Sequence, residues 1–295
     1  MLDLTVIVLT YNEELHIRRC LENIKMFCNK IYVIDSFSTD KTVEICKEMG
    51  AIVLQNKWPG NQAEQFNWAL DNINIDTKWI LRLDADEYLL PELIEELKSK
   101  LPNIPQNISG ISLKRRHIFL GKWIKRGTYP VIILRMFRNG KGRCEQRLMD
   151  EHLILSGGEI ITFENDFVDH NLNTLMWWIE KHNNYAIREA VELLDLELNL
   201  SQNISNKEIS KKEKDKKLYI KIPIFVRAFI YFCIRYIIKG GFLEGKEGFL
   251  WHFFQGLWYR TLVDAKIFEI KKRCNKECHK IVEYISKTYN INISR

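Results

Sequence analysis

The amino-acid sequence predicts an α/β fold, in which a mostly parallel sheet flanked by helices is followed by a C-terminal helical appendage. Two features predict the sheet. Short apolar runs alternate with helical patterns through the first hundred residues, and polar side chains follow where those runs end. A third feature predicts the appendage, because residues 219–268 hold 14 of the chain's 34 aromatic residues, interleaved with lysines and arginines.

Four continuous apolar runs in the first hundred residues predict strands that are buried on both faces. They are residues 4–9, 30–34, 51–54 and 79–83. Helical spacing predicts four helices between and after these runs, with Asp40 capping the second and Pro91 in the first turn of the last. They are residues 14–26, 40–49, 61–73 and 91–100. This alternation predicts a doubly wound sheet with right-handed crossovers.

The pattern changes after Pro102. Apolar runs predict strands over residues 110–119 and 131–138, and a long helical pattern covers 172–198. The stretch 201–217 is polar and charged, which favours a linker or a loosely held helix. The sequence therefore predicts three parts, a sheet-containing domain, a linker and a basic aromatic region, which cover residues 1–200, 201–217 and 218–295.

Composition excludes several classes of protein. Hydrophobic residues make up 46% and charged residues 28% of the chain, which suits a packed core and excludes global disorder. Seven scattered cysteines are not typical of a disulfide framework, and the start lacks a basic signal segment, so we expect a cytosolic protein. Residues 207–295 carry 20 Lys and Arg against 9 Asp and Glu, which indicates an anionic partner, either a membrane or a nucleic acid.

Polar side chains cluster where the predicted parallel strands end, and open α/β sheets bind ligands at that edge. The most distinctive cluster is Asp84-Ala85-Asp86-Glu87. Three carboxylates in four positions repel one another unless a cation joins them, and in extended geometry Asp84 and Asp86 point the same way. Paired oxygen ligands suit Mg²⁺ or Mn²⁺, with substrate phosphates as further ligands. A turn or capping role is the alternative for each residue taken alone.

The glycines exclude two common classes of nucleotide site. The chain contains neither GxGxxG nor GxxxxGK[ST], so a Rossmann dehydrogenase and a P-loop NTPase lose their main support. A metal ion between carboxylates and a diphosphate would hold a nucleotide instead.

Three segments, VIVLTYNEE, VIDSFSTDKT and WILRLDADEYL, resemble glycosyltransferase family 2 in their order and spacing. The resemblance covers residues 2–100 and implies the GT-A fold, with a Rossmann-like sheet. It also implies that residues 1–200 form a nucleotide-sugar and acceptor domain. The implied reaction is an inverting, metal-dependent transfer of a sugar.

The same resemblance implies roles for individual residues. Those implied to bind the nucleotide sugar are Thr10, Tyr11, Glu13, Asp35, Gln65, Asn67, Arg82 and Asp84. Asp86, helped by Asp84, would hold the metal ion, and His170 is a further candidate ligand. One departure concerns the base contact, because many family members have two adjacent Asp where this chain has Asp35-Ser36.

An inverting transfer needs a base that takes the proton of the acceptor hydroxyl. Candidates outside the nucleotide pocket are Glu145, Asp150, Glu151, His152, Asp169 and His170. The resemblance favours Glu151 as the base, with Asp150 in reserve, because related members carry a similar acidic element. A surface loop is the alternative for that segment. For His170 the alternative is a residue at a helix start, hydrogen-bonded by Asp169.

The C-terminal region predicts a membrane contact. Its segment RYIIKGGFLEGKEGFLWHFFQGLWYR resembles the lipopolysaccharide-core branch of the family, which implies a peripheral membrane enzyme with a lipid-anchored acceptor. Residues 222–238 are too short and too charged to favour a span, although a single span is the alternative. Helical spacing puts four residues on one basic stripe that would face anionic lipid, namely Arg227, Tyr231, Arg235 and Lys239. No nucleic-acid-binding motif occurs, so we expect no such partner.

Together these features predict an inverting glycosyltransferase that moves a sugar of the hexose type. The donor would be a UDP-sugar, and the acceptor a lipid-linked saccharide such as lipopolysaccharide core or another surface glycan. The enzyme would work at the inner face of the cell membrane. A sugar nucleotidyltransferase is the alternative enzyme, although the first strand lacks the basic Gly-rich loop that it needs. A membrane-associated scaffold with a degenerate site is the alternative without enzyme activity.

Overall fold

A computed structural model describes residues 1–145, 152–200 and 211–293 of the chain. The chain forms two compact units, residues 1–173 and 174–295. The division therefore falls just before the long helix, whereas the sequence predicted a first domain that includes it. That helix begins at Leu175, after Thr174 accepts a hydrogen bond from the Trp177 amide.

The first unit contains eleven strands among its described residues. They are β1 (Leu2–Thr10), β2 (Cys28–Asp35), β3 (Ile52–Gln55), β4 (Trp79–Asp84), β5 (Glu87–Leu89), β6 (Ile108–Phe119), β7 (Lys122–Trp123), β8 (Val131–Arg138), β9 (Gly142–Cys144), β10 (Leu153–Leu155) and β11 (Glu159–His170). The main sheet has the order β3-β2-β1-β4-β8-β6-β11-β5, with β7 paired to β6, and β9 and β10 form a separate pair.

The sheet is parallel only in part. Strands β3, β2, β1 and β4 are parallel, as the sequence predicts, and β6 and β11 form another parallel pair. The strand β8 is antiparallel to both β4 and β6, and β5 is antiparallel to β11. The expected mostly parallel sheet is therefore a mixed sheet, because β8 and β5 return without the helical crossover that parallel pairing requires.

Four helices flank this sheet. They are α1 (Ile17–Lys25), α2 (Thr42–Glu48), α3 (Gln62–Asn72) and α4 (Pro91–Lys100). Strand β1 is buried on both faces, since Val6 and Val8 pack in one core with residues of α1 and α4, while Ile7 packs in another with Phe66 of α3. Alternate residues of a strand point to opposite faces, so two layers of helix explain its continuous apolar run.

The second unit is helical throughout its described residues. Its helices are α5 (Leu175–Leu198), α6 (Lys211–Lys221), α7 (Val226–Cys233), α8 (Gly245–Trp251), α9 (Tyr259–Arg273) and α10 (Cys278–Tyr289). Helix α7 continues as a π-helical turn over Ile234–Ile238, and a second π-helical stretch, His252–Trp258, joins α8 to α9. None of the helices that the structure describes is both long and apolar enough to cross a membrane.

The prediction that the arginines of α7 face a lipid surface is wrong. Arg227 and Arg235 are only 2% and 3% exposed, so they face the interior of this unit. Arg227 pairs with the fully buried Asp264 of α9, and Arg235 donates to Gln255. A buried guanidinium needs such partners because desolvating an unpaired charge is costly. Helical spacing correctly grouped these residues on one face, but that face packs inward.

The opposite face of this segment is apolar and exposed. We call it the apolar face. Its members are Phe225, Val226, Phe229, Ile230, Ile234, Ile237, Ile238, Phe242, Leu243 and Phe249. Ile238 is 76% exposed and Phe229 is 59% exposed. Contiguous apolar surface of this extent marks an interaction site in a protein that folds by itself.

Replacing Asp264 with Ala is expected to destabilise the second unit by about 3 kcal/mol, because it leaves a buried cation without its partner. Asp264 also accepts a 2.7 Å hydrogen bond from the amide of Phe225, so the start of α7 loses a second contact. Urea unfolding of the full chain, followed by circular dichroism, measures the change.

Glu283→Ala is the matched control, because Glu283 pairs with Lys287 on an exposed helix surface. Its effect should be far smaller than that of Asp264→Ala, because solvent screens an exposed ion pair. Equal effects of the two substitutions would show that the buried pair has no special weight.

Candidate functional site

The ends of the first three strands are tied together by one carboxylate. Asp35 is fully buried, and its Oδ1 accepts a hydrogen bond from Thr10 Oγ1 at 3.1 Å and another from Ser38 Oγ. Its Oδ2 accepts from the Ser38 amide at 2.9 Å and from Gln55 Nε2 at 3.1 Å. Both oxygens are therefore occupied by protein donors. Asp35 therefore braces the ends of these three strands, and the base contact that the family resemblance implies for it stays a prediction.

The loop after β1 presents one exposed aromatic ring and a buried network. Tyr11 is 58% exposed. Glu13 contacts His16 Nδ1 at 2.7 Å, while His16 Nε2 accepts the Leu172 amide proton at 2.8 Å. Because Nε2 accepts, the ring proton lies on Nδ1 and is donated to Glu13. The network holds the loop after β1 against the chain that follows β11.

The acidic segment after β4 forms a turn. Strand β4 ends at Asp84, residues 85–86 turn, and β5 begins at Glu87. Glu87 accepts the Asp84 amide proton at 2.9 Å and forms an ion pair with Arg135 of β8. The expectation that Asp84 and Asp86 lie on one side of an extended strand is therefore wrong, because the Glu87 side chain closes the backbone into a turn.

Asp86 lies among other carboxylates. Its Oδ2 accepts a hydrogen bond from Asn171 Nδ2 at 2.9 Å. Burial, followed by the negative charges of Asp169 and Asp84, raises the pKa of Asp86 to about 6. A carboxyl group that burial and like charges push toward neutrality favours the approach of a cation.

Asp169 has the opposite environment. It lies 3.3 Å from His117 Nδ1 and 3.4 Å from Arg115 Nη1, both on β6. Burial alone would raise its pKa, but the charges and hydrogen bond of these neighbours hold the pKa of Asp169 well below its usual range. Asp169 is therefore ionised and paired with His117 and Arg115. A carboxylate with so low a pKa takes up a proton poorly, so Asp169 is a weak candidate for the general base.

His170 is the last residue of β11, so the alternative of a residue at a helix start is wrong. Its backbone amide donates to the Asp86 carbonyl at 3.1 Å, and its Nδ1 lies 3.1 Å from Arg19 Nη1. Burial and then the Arg19 charge lower the pKa of His170, which favours the neutral imidazole that a metal ligand requires.

The oxygen atoms of these side chains are chemically suited to a hard divalent cation such as Mg²⁺ or Mn²⁺. Asp84 and Asp86 supply carboxylate oxygens, and His170, the last residue of β11, donates its backbone amide to the Asp86 carbonyl. Across the described residues, no group of three His, Cys, Asp or Glu side chains is arranged to hold a metal ion by itself. Mg²⁺ and Mn²⁺ sites of this kind use one or two carboxylates and complete their coordination with substrate phosphates.

Two of the remaining predicted residues, Asn67 and Arg82, contact Cys144, the last residue of β9. Asn67 accepts from the Cys144 amide and donates to its carbonyl, both at 2.9 Å. Arg82 Nη1 lies 3.0 Å from Cys144 Sγ. Gln65 is fully buried and bonds to Asn56 and Ser36. Asn67 and Arg82 therefore meet at β9, where Asn67 binds the backbone of Cys144 and Arg82 contacts its sulfur. Gln65 lies beside the end of β2.

The predicted base, Glu151, and its reserve, Asp150, lie outside the described residues. Strands β9 and β10 pair, and the Glu145 amide donates to the His152 carbonyl at 2.8 Å. The two ends of segment 146–151 are therefore adjacent, and Asn67 and Arg82 anchor the first of them.

Sequence reasoning missed four residues of this site, Arg19, Arg135, His16 and Asn171. Arg19 Nη2 donates to the His170 carbonyl at 2.6 Å and to the Asp86 carbonyl at 3.1 Å. Each has at least one partner far along the chain, and no local pattern predicts that contact. The strand β11 was missed too, and with it the proximity of residues 169–171 to the acidic turn.

Comparison with known proteins identifies a family for the first unit. The family model for glycosyl transferase family 2 matches residues 5–167. An uncharacterized glycosyltransferase of Rickettsia typhi is 34% identical over 98 residues, which cover 33% of this chain and 32% of that protein. The SPbeta prophage-derived glycosyltransferase SunS of Bacillus subtilis is 34% identical over 151 residues, which cover 49% of this chain and 33% of that protein. These alignments span about a third of each relative's own length.

Among solved structures, a mannosyltransferase from Pyrobaculum calidifontis in complex with GDP-Man and Mn²⁺ shares the fold. The match covers 93% of this chain and 88% of that one, with a TM-score of 0.50 and 16% sequence identity.

Replacing Asp86 with Asn is expected to stabilise the protein at neutral pH without added metal. A carboxyl whose pKa is higher in the folded chain stabilises the fold while it is protonated. That contribution is complete below the unfolded pKa of 3.8 and is lost as pH rises through about 6. The variant avoids this loss, so its free energy of unfolding at neutral pH should exceed that of the wild type by about 2 kcal/mol.

Urea unfolding at neutral pH and near the unfolded pKa measures this difference, which should shrink at the lower pH. Asp71→Asn is the control, because Asp71 is exposed and its hydrogen bond to Arg143 lowers its pKa. That variant should gain no stability at neutral pH. A loss of stability in Asp86→Asn at neutral pH would contradict the assignment.

Proposed function

The chain belongs to glycosyl transferase family 2, and from that premise we propose that it is an inverting, metal-dependent glycosyltransferase. The donor is a hexose linked to UDP, and the acceptor is a lipid-linked saccharide such as lipopolysaccharide core or another surface glycan. The single observation that carries the proposal is the acidic turn of Asp84 and Asp86 beside the end of β1. There burial, followed by the negative charges of Asp169 and Asp84, raises the pKa of Asp86, and a cation would offset those charges.

The residues around the turn have separate tasks in this proposal. The loop after β1, with the exposed ring of Tyr11, borders the nucleotide, and Asp35 holds the strand ends that form the floor. Asp84 and Asp86 would hold Mg²⁺ or Mn²⁺, with His170 beside them. When bound, the ion offsets the charge that develops on the departing diphosphate. A mannosyltransferase with this fold holds GDP-Man and Mn²⁺ together, so the fold has room for such a pair.

The acceptor reaction needs a proton acceptor on the opposite side of the sugar. We propose Glu151 for this role, with Asp150 in reserve. The carboxylate takes the proton of the acceptor hydroxyl while that oxygen attacks the anomeric carbon, and the bond to the diphosphate breaks. One displacement inverts the anomeric centre, so an α-linked donor gives a β-linked product. Asn67 and Arg82 support this role by anchoring β9, from which segment 146–151 departs.

Release of UDP from UDP-sugars in the presence of Mn²⁺ tests the reaction. We expect slow hydrolysis by the wild type that depends on the metal ion, and a loss of at least about a hundredfold in Asp86→Ala, because the charge on the leaving group is no longer offset. A donor panel that includes GDP-Man identifies the nucleotide and the sugar.

Glu151→Ala separates the two halves of the site. It should keep UDP binding and lose about a hundredfold in transfer once an acceptor is supplied, because only the proton transfer is removed. Asp71→Asn is the matched control and should leave the rate unchanged. If no nucleotide or nucleotide sugar binds with Mn²⁺ present, the site as proposed is wrong.

We also propose that the second unit binds the inner face of the cell membrane, which keeps the protein cytoplasmic and peripheral. The arginines of α7 are buried, so the contact surface is the apolar face. A cavity of about 530 Å³, lined by Phe242, Phe249 and Tyr236 among others, opens beside it. Lys221, Lys239 and Lys246 are exposed along the same stretch. Apolar side chains that enter the lipid, with lysines at the headgroups, are typical of an interfacial contact.

Co-sedimentation with lipid vesicles tests this surface. The wild type should bind vesicles of phosphatidylcholine, and added phosphatidylglycerol should strengthen binding, because each lysine near an anionic surface contributes about 1 kcal/mol. Ile238→Glu with Phe242→Glu should reduce binding at least about tenfold.

Met176→Glu is the control, because Met176 is 70% exposed on α5 and lies outside the apolar face. It should bind as the wild type does. Equal binding by all three proteins would exclude the apolar face as the membrane contact.

A further inference from the structure

A long stretch of the first unit carries positive charge without any carboxylate. Residues 101–144 contain ten Lys and Arg and no Asp or Glu. The stretch includes β6, β7 and β8, and it follows directly on the part of the chain that forms the acidic turn. Such an uneven distribution inside one unit needs partners from elsewhere in the fold or from a ligand.

Most of the arginines in this stretch have protein partners. Arg135 pairs with Glu87, Arg143 with Asp71, and Arg115 with Asp169. Arg138 donates to the carbonyl groups of Ile104, Pro105 and Ile108. These contacts give those arginines protein partners but do not involve Lys125 of the β6–β7 hairpin.

The hairpin groups cations around one indole ring. The Arg116 guanidinium lies 3.7 Å from the Trp123 ring centroid, and Lys125 Nζ lies 4.7 Å from it. Asp166 accepts two hydrogen bonds from Arg116 at 3.0 and 3.1 Å, and a third from the Tyr129 hydroxyl at 3.0 Å. Asp166 thus offsets one cation only. Lys125 is exposed and forms no ion pair with any residue that the structure describes.

The hairpin adjoins the acidic turn. The Ile124 amide donates to the His117 carbonyl at 3.0 Å, and His117 contacts Asp169 at 3.3 Å. The next residue along β11, His170, donates its amide to the Asp86 carbonyl. Lys125 therefore follows Ile124, which is hydrogen-bonded to His117. His117 in turn contacts Asp169, the residue before His170 at the proposed metal site. Lys122 and Arg126 belong to the same hairpin and add to its charge.

We propose that Lys125, supported by Arg116 and Trp123, forms a subsite for an anionic group on the acceptor saccharide, either a phosphate or a carboxylate. The inference rests on the proposed function and names the substrate class of its acceptor side. An anion near Asp84, Asp86 and Asp169 would be repelled unless cations lay beside it. The hairpin supplies such cations, since the indole ring of Trp123 contacts both the Lys125 ammonium group and the Arg116 guanidinium.

Calorimetric titration of the full chain with simple sugars tests the subsite in the presence of UDP and Mg²⁺. The probes are glucose 6-phosphate, glucuronate and neutral glucose. We expect the wild type to bind at least one anionic probe and to bind glucose at least about tenfold more weakly. Lys125→Gln should weaken binding of the anion about tenfold, and Lys125→Arg should restore most of it, because the charge returns.

Lys141→Gln is the matched control. Lys141 is an exposed lysine of the same stretch, just beyond the end of β8 that pairs with the start of β4, so it lies at the other end of the sheet from Asp84. Its variant should bind all probes as the wild type does. The proposal is overturned if neither anionic probe binds better than glucose, or if Lys141→Gln weakens binding as much as Lys125→Gln does.

The titration also distinguishes the acceptor from the donor as the source of the anion. If the anionic probe competes with UDP, and Lys125→Gln weakens UDP binding equally, the hairpin binds the donor diphosphate and the acceptor assignment is wrong. If UDP fails to bind the wild type at all, the proposed function fails. That outcome is separate from a failure of the subsite, in which UDP binds and the anionic probes do not.

Discussion

The candidate site depends on one buried ion pair, between Glu87 of β5 and Arg135 of β8. Glu87 is 1% exposed and Arg135 is 6% exposed, so each charge requires the other. Glu87 also accepts the Asp84 amide proton, which closes the acidic turn. The strand that Glu87 begins pairs with β11, and this pairing brings Asp169, His170 and Asn171 beside Asp86. The pair therefore fixes the turn and also the strand that surrounds it.

The sequence predicted the parallel half of the sheet well, because each of those strands is an apolar run between two helices. The limits of α4, Pro91–Lys100, and of β8, Val131–Arg138, agree with the sequence prediction. Strand β11 could not be found in this way, because the consecutive polar residues Glu164, Asn165 and Asp166 interrupt its apolar residues. The residues that contact Asp86 lie on β11 or directly after it, so they were not predicted either. Contacts between residues that lie some 85 positions apart in sequence leave no periodic signal, and these contacts decide the chemistry of the turn.

Helix α7 shows a different limit of sequence reasoning. Spacing identifies which residues share a face of a helix, but it does not identify which face is buried. The arginines lie inside because Asp264 of α9 lies 37 residues further along and is itself fully buried. The energy of that pair depends on mutual desolvation, which no local window contains. Once the pair is formed, the phenylalanines and isoleucines of α7 have only the outer face left. A helix that first suggested a basic membrane contact therefore presents an apolar one.

The first unit carries its negative and positive side chains at two different places, which suits a reaction between two substrates that bind to groups of opposite charge. Carboxylates collect at the turn after β4, where a cation and a diphosphate can complete the balance. Cations collect on the β6–β7 hairpin, where Asp166 pairs with Arg116 and Asp169 pairs with Arg115. Opposite charges this close would collapse onto each other if both were flexible. Here Trp123 and Tyr129 pack edge to face at 5.4 Å and hold the cationic side in place. The separation therefore persists in the folded chain, and it gives each side of the site a different preferred ligand.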